Sequence, residues 1–351
     1  MSSPKSKRKK NKIVSKKPPS AEKATPSFKK KAGGAKGFPW WALLVFLSIA
    51  FFLYGKSINY GYILDDQMVL SKNIYVQQGV AGFPDIFQND SFLGYFQSKE
   101  KLYYLQGGRY RPLSLATFAV EVSLFGPNHP AISHFINILL YAFTAFLLFR
   151  LFLEFKIDSL NQGRIFSVPF FAAILWIFHP IHTECVANIK GRDELLALIF
   201  SLAALLAAMK YQKDNKTISL ISSGIFLFIG MLAKENALTF IGIIPLSLWM
   251  FQKASIPSLV KTTMPLVIAA VLFIVIRYEA LGYFFNHGHP VINLINDSFL
   301  GMSKPEKYAT IFYTLGLYIK LLFIPYPLTH DYLPYHIPIM HWGNVKVIAS
   351  R

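Results

Sequence analysis

This sequence predicts an all-α fold, a polytopic transmembrane helical bundle, on three observations. Of its residues 53% are hydrophobic and 15% charged, whereas a soluble domain carries roughly 25% charge. The charge is also segregated: residues 1–37 hold thirteen Lys/Arg against one acid, Glu22, and so supply most of the formal net charge of +18. Finally, apolar runs approaching the roughly 20 residues that cross a bilayer recur from Phe38 onward.

The basic segment, residues 1–37, reads as a disordered cytoplasmic tail that touches anionic headgroups. It abuts an apolar run and has no aromatic or Gly-rich RNA-reading pattern, so membrane lipid, not nucleic acid, is the expected partner. The first span is Phe38–Tyr54, opened by Pro39, Trp40 and Trp41. A very long basic region before it and no small-residue cleavage pattern after it indicate an uncleaved signal anchor. The positive-inside rule places the N-terminus in the cytoplasm. Further spans are read at 132–153, 166–178, 195–210, 218–233, 237–251 and 263–278. Residues 308–324 form an eighth span or a re-entrant helix, which makes about seven to nine crossings in a single membrane domain, residues 38–351.

Alternation from a cytoplasmic start puts Lys213, Lys216, Lys253 and Lys261 inside, in agreement with that rule. It puts the long loop 56–131, with Asp65, Asp66, Asp85 and Asp90, outside. Lys190, Arg192 and Lys234 fall on outer loops, against the rule, and so require a local reason. The lone cysteine, Cys185, excludes an intrachain disulfide. The chain stops at Arg351 just after an apolar restart, which reads as truncation at the C-terminus.

Four segments carry chemistry. Tyr62-Ile63-Leu64-Asp65-Asp66 places two carboxylates just beyond the first span. Such a pair suits general-base activation of a hydroxyl or oxygen ligation of a divalent cation; it equally suits a solvated helix cap. Neighbouring side chains on an extended loop point to opposite sides, so the two acids are expected to do different work. Arg109-Tyr110-Arg111-Pro112-Leu113 ends the same loop with two guanidinium groups suited to phosphate; snorkelling onto lipid phosphates is the simpler alternative. His179-Pro180-Ile181-His182-Thr183-Glu184 runs into Lys190-Gly191-Arg192-Asp193-Glu194, and ionisable residues crowded beside a bilayer point to a polar cavity. His182 and Glu184 lack the spacing of a zinc protease, and no metal is assigned. Lys234-Glu235-Asn236 forms a fourth cluster, and His287, His289, Asp297, His330 and Asp331 follow on a region that suits sugar hydroxyls or an interfacial belt.

Taken in series, these segments resemble the GT-C class of membrane glycosyltransferases, and within it the transmembrane O-mannosyltransferases with tetratricopeptide tails and their bacterial relatives. The resemblance rests on Tyr62 to Asp66 with Asn73 after it, on Arg109 to Leu113 followed by Phe125-Gly126, on His179 to Glu184 running into Gly191-Arg192-Asp193, and on Lys234-Glu235-Asn236. It implies an inverting glycosyltransferase that takes a mannose-type sugar from a polyprenyl-phosphate lipid and passes it to a hydroxyl of a protein or glycan at the outer face. It implies Asp65 and Asp66 as the catalytic pair and Arg109, Arg111, Lys190 and Arg192 as donor-phosphate ligands. His182, Glu184, Asp193, Lys234, Glu235, His330 and Asp331 become substrate-binding candidates. No cofactor is required, though a divalent cation fits the acid pair. The implied setting is a bacterial inner membrane, or the endoplasmic reticulum membrane in a eukaryote. No tetratricopeptide repeat follows, and a non-catalytic scaffold or transport component is the alternative reading.

Overall fold

The computed structural model describes residues 1–2, 39–103, 108–156, 166–284, 294, 297–329, 332, 336–348 and 350. The basic tail, residues 1–37, therefore lies outside the described residues except for Met1 and Ser2. Among the described residues the structure is helical, without strands. Its longer helices are α1 (Trp40–Tyr54), α2 (Pro112–Phe125), α3 (Pro130–Glu154), α4 (Val168–Phe178), α5 (Arg192–Asp214), α6 (Thr217–Ala233), α7 (Phe240–Gln252), α8 (Ile256–Leu281) and α9 (Lys304–Phe323).

Local sequence explains where these helices start and stop. Proline sits in the first turn of α2, α3, α4, α8 and α9, where its missing N–H has no helical partner to lose. At the other ends, α5 stops at Asn215 and α7 at Lys253, both in the left-handed conformation. Helix α9 begins with a capping box between Ser303 and Glu306, which satisfies two otherwise orphaned N–H groups.

Helix α5 is the inner pillar. Two-thirds (67%) of its most apolar window is buried, against 22% for α1 and 28% for α8. One apolar core joins α5, α6, α7 and α8, and a second joins α1, α3 and α4. The outward faces of α1 and α8 present exposed apolar side chains such as Leu44, Phe52, Val267 and Ile268. Faces of that size are stable against lipid, not water. The chain is a multi-pass integral membrane protein.

Among the described residues four helical stretches are long and apolar enough to cross alone: Trp40–Asn59, Pro130–Glu154, Ile189–Asp214 and Ile256–Leu281. A fifth crossing arises if Val168–Phe178 and Pro180–Ala187, bent by 51° at His179, count as one. The expected spans at 218–233 and 237–251 are helical but contain 17 and 13 residues. At 1.5 Å per residue these reach about 26 and 20 Å, short of a bilayer core of about 30 Å. Helix α9 bears Lys304, Glu306, Lys307 and Lys320 and is not apolar enough to count. Length and apolarity alone thus identify, among the described residues, four or five of the seven to nine crossings read from apolar runs.

A third, smaller core gathers Val69, Leu70, Ile86, Leu115 and Phe118. It packs the loop after α1 onto α2, so that long connection is a folded cap at the α5 N-terminal end of the bundle.

Candidate active site

The two neighbouring aspartates do separate, although they sit in a turn and at the start of the short helix Gln67–Ser71, not on an extended loop. Asp66 is fully buried. One carboxylate oxygen accepts the Ile63 N–H (3.0 Å) and the other the Lys190 N–H (2.9 Å). Burial pushes its pKa up; the two N–H groups pull it back, while the charges of Asp65 and Glu184 add to the rise. Asp66 therefore ties the first loop to the Ile189–Gly191 turn. Asp65 faces the other way with a side chain 43% exposed, and its carboxylate lies 3.9 Å from Lys190 Nζ.

From Lys190 a chain of ionic contacts runs across three segments. Lys190 Nζ is also 3.9 Å from Asp193 Oδ2. That oxygen accepts Arg111 Nη1 at 2.8 Å and has Lys234 Nζ at 3.7 Å. Arg111 grips Glu235 with both remaining edges of its fork, Nε at 3.0 Å and Nη2 at 2.7 Å. Burial alone disfavours the Arg111 charge, but Glu235 and Asp193 outweigh it and raise the pKa. Burial likewise pushes the Glu235 carboxyl up, and Arg111 more than reverses this. Lys234 pairs in addition with Glu194. Asp193 is the hub, placed in the first turn of α5, where the helix dipole favours negative charge. Its other oxygen, Oδ1, is buried without a hydrogen-bond partner among the described residues.

Arg109 differs from its neighbour. Its guanidinium lies over the Phe92 ring at 4.9 Å, and among the described residues it has no hydrogen-bond acceptor and no ion pair. Burial and the adjacent Arg111 charge lower its pKa, against the pull of Asp90, Asp65 and Glu235. A cation held in this state has unused capacity for an anion. Its position is set by Asp90 and Ser91: Asp90 accepts the Arg109 N–H at 2.8 Å, and Ser91 accepts the Arg111 N–H at 2.9 Å.

Arg192 does not join this cluster, which corrects its expected role as a phosphate ligand. It is fully buried and paired with Glu121. It also donates to Asn137 Oδ1 (2.9 Å), Thr117 Oγ1 (3.3 Å) and the Ser133 carbonyl (3.0 Å), with its plane 4.2 Å from the Phe118 ring. Its partners and its burial leave no approach for a donor lipid. The preceding Gly191 is obligatory: a Cβ there would stand 2.5 Å from the Cys185 carbonyl.

Two further candidates belong to the scaffold. Glu184 accepts from Asn188 Nδ2 at 2.7 Å, and Asn188 caps the same 189–191 turn. His182 contacts the Tyr141 hydroxyl at 3.0 Å and stacks near Trp176, inside the α1, α3 and α4 core. Asn73 is likewise structural, capping Ile74–Gln77 and donating to the Ser91 carbonyl at 3.0 Å. His330 and Asp331, like His287 and His289, lie outside the described residues. Among the described residues no three His, Cys, Asp or Glu side chains gather as a metal-holding group.

Sequence reasoning missed Glu121, Asp90 and Ser91 as organisers of the site. Glu121 had a readable signal, a carboxylate within the apolar run 113–125, since an acid in such a run needs a buried partner. Asp90 and Ser91 had none, because their partners are backbone N–H groups about 20 residues away.

No family model matches the chain, and no solved structure matches it. Curated relatives do. Human protein O-mannosyl-transferase TMTC4 is 31% identical over 218 residues, 58% of this chain and 29% of its own. Human protein O-mannosyl-transferase TMTC3 is 28% identical over 315 residues, 82% of this chain and 32% of its own. Caenorhabditis elegans protein O-mannosyl-transferase F38B6.6 is 30% identical over 196 residues, 56% of this chain and 26% of its own. The matched part thus spans about a third or less of each relative's length. Over more than half of its own length the chain resembles the TMTC protein O-mannosyl-transferases.

Proposed function

We propose that the chain is the membrane part of a glycosyltransferase of GT-C type, which moves a mannose-type sugar from a polyprenyl-phosphate carrier to a protein Ser/Thr hydroxyl at the outer face of the membrane. The relatives, named as protein O-mannosyl-transferases, support mannosyl transfer to protein. The observation that carries the reading is the convergence of Asp65, Lys190, Asp193, Arg111 and Glu235 from four separate segments, beside an Arg109 that has no ion pair among the described residues. The carrier lipid is what the resemblance to the GT-C glycosyltransferases implies, and the outer face and the cytoplasmic N-terminus rest on the charge pattern.

In this mechanism Arg109 and Lys190 take the donor phosphate, because Arg109 has no competing acceptor and Lys190 has only long contacts. Arg111 positions them: its fork is spent on Glu235 and Asp193. The acceptor hydroxyl oxygen attacks the anomeric carbon as its proton passes to Asp65, the acid whose carboxylate is accessible. The bond from the anomeric carbon to the phosphate oxygen breaks, and the electron pair leaves with the polyprenyl phosphate, whose charge Arg109 and Lys190 stabilise. Attack from the face opposite the phosphate inverts the anomeric configuration. Asp66 touches no reactant; it holds Lys190 in place through the Lys190 N–H.

The test is sugar transfer by the full chain in vesicles containing polyprenyl-phosphate mannose, with a Ser/Thr-rich acceptor peptide. Asp65→Asn should lower the rate by about 100-fold or more, the usual contribution of a positioned base, with unchanged membrane insertion. Wild-type turnover by Asp65→Asn, with an active parent chain, would remove Asp65 from the chemistry and leave the cluster as an ion-paired scaffold.

A further inference from the structure

The end of the bundle away from Asp65 has its own polar groove. It lies where the last turns of α3 and α5 meet the start of α6 and encloses about 420 Å³. Among the described residues its rim carries Arg150, Lys210 and Lys213, with the Glu154 carboxylate in the lining and Asp214 accepting a hydrogen bond from the lining Ser219. Lys213 pairs with Glu154, while Lys210 is exposed and, among the described residues, forms no ion pair, though its charge acts on Asp214. Its walls are apolar, with Leu206, Ile218 and Phe226 running inward from the rim. Ser222 adds a hydroxyl to the lining.

Depth identifies the occupant. Asp193, hub of the first cluster, and Lys213, on the rim of this groove, stand 20 residues apart on one continuous helix. At 1.5 Å per residue that is about 30 Å, the thickness of a bilayer hydrocarbon core. With the Asp193 cluster at one headgroup layer, Lys210 and Lys213 fall at the other. Moving inward from these cations, the groove wall passes into the exposed apolar face of α6, where Ile218 is 65% exposed with Ile221 and Ile225 beside it. Cations at headgroup depth above an apolar wall match one molecule end to end: phosphate at the rim, acyl chain along α6.

We propose that this groove binds an anionic glycerophospholipid of the leaflet opposite the Asp65 cluster. Its phosphate sits among Arg150, Lys210 and Lys213, and its acyl chain lies along Ile218 and Phe226. The site is independent of the sugar-transfer reading, since it shares no residue with that cluster. Between-helix basic pockets of this kind select lipids by head-group charge.

The test uses the full chain, delipidated in a neutral detergent and titrated separately with dioleoyl phosphatidylglycerol and dioleoyl phosphatidylcholine, with bound lipid counted by native mass spectrometry. The chain should retain the anionic lipid about tenfold more strongly, and Lys210→Gln should lower that preference about fivefold, as one headgroup-level cation implies. The basic tail also attracts anionic lipid, so a second variant isolates the groove. Ile218→Trp fills the apolar wall without altering charge and should reduce phosphatidylglycerol retention severalfold. Both positions are exposed, and matching melting midpoints confirm that the variants fold. Equal retention of the two lipids overturns the proposal. So does an anionic preference that survives both variants, which assigns it to the tail. Displacement of the bound lipid by inorganic phosphate overturns it as well, because the groove is then a free-phosphate site.

Discussion

Residues with the same formal charge play opposite parts here, and burial decides which. Arg109 and Arg192 are both cations in or beside the motifs that carry the resemblance, and by side-chain chemistry alone they are interchangeable. Arg192 meets Glu121, Asn137, Thr117 and the Ser133 carbonyl, so its charge is neutralised inside the protein. Arg109 meets an aromatic face and, among the described residues, no acceptor. The acid pair splits similarly: Asp66 has both oxygens engaged by backbone N–H groups, and Asp65 reaches the surface. Adjacency made that division readable in advance, but which acid turns inward depends on the Lys190 N–H, 124 residues away. The Arg192 assignment yields a prediction. Breaking a buried ion pair from one side costs roughly 3–5 kcal/mol, whereas replacing both partners with apolar groups is often neutral. Glu121→Leu and Arg192→Met should each lower the melting midpoint sharply in detergent, and the double variant should recover most of the loss. Were Arg192→Met to melt like the parent and lose only donor affinity, Arg192 would be a ligand after all.

Elements were legible wherever one apolar run made one helix. The runs at 132–153, 195–210 and 263–278 became α3, α5 and α8, each extended at one or both ends by polar or charged residues that apolarity alone omits. The runs at 218–233 and 237–251 became α6 and α7, of 17 and 13 residues, shorter than a bilayer core, so length alone does not select them as crossings. Contact between α6 and α8 shows how tightly such a short helix is held. A Cβ built on Gly224 would stand 2.9 Å from the Pro265 carbonyl oxygen, and Pro265 lies inside α8, where it cannot donate to the preceding turn. Backbone meets backbone there, so neither side can swing away. Gly224→Leu should therefore force α6 off α8, at about 1–3 kcal/mol or more for overpacking. The measurement is the thermal midpoint in detergent. An unchanged midpoint would mean that the two helices are not in contact.

At the scale of the whole molecule, what the sequence made legible was a direction: positive charge at one end, acids at the other, apolar runs between. The exceptions, Lys190, Arg192 and Lys234, find their reason in three dimensions, since each pairs with a carboxylate at the Asp193 end and none acts as a topology signal. The direction itself rests on α5, whose Arg192–Asp214 stretch is about 34 Å long at 1.5 Å per residue. A helix of that length, two-thirds buried over its apolar window and ionic at both ends, must place those ends in opposite headgroup layers. Single-cysteine labelling reads this directly. With Cys185→Ala as background, Lys99→Cys reports the loop that carries Asp65, and Lys216→Cys reports the turn between α5 and α6; both positions are exposed. In sealed vesicles or intact cells a membrane-impermeant maleimide should label one of the two, and the other only after permeabilisation. Given a cytoplasmic N-terminus, Lys99→Cys is the one open to the outside. Equal labelling of both from one side would mean that α5 does not cross, and the polar clusters at its two ends would then share a single aqueous face.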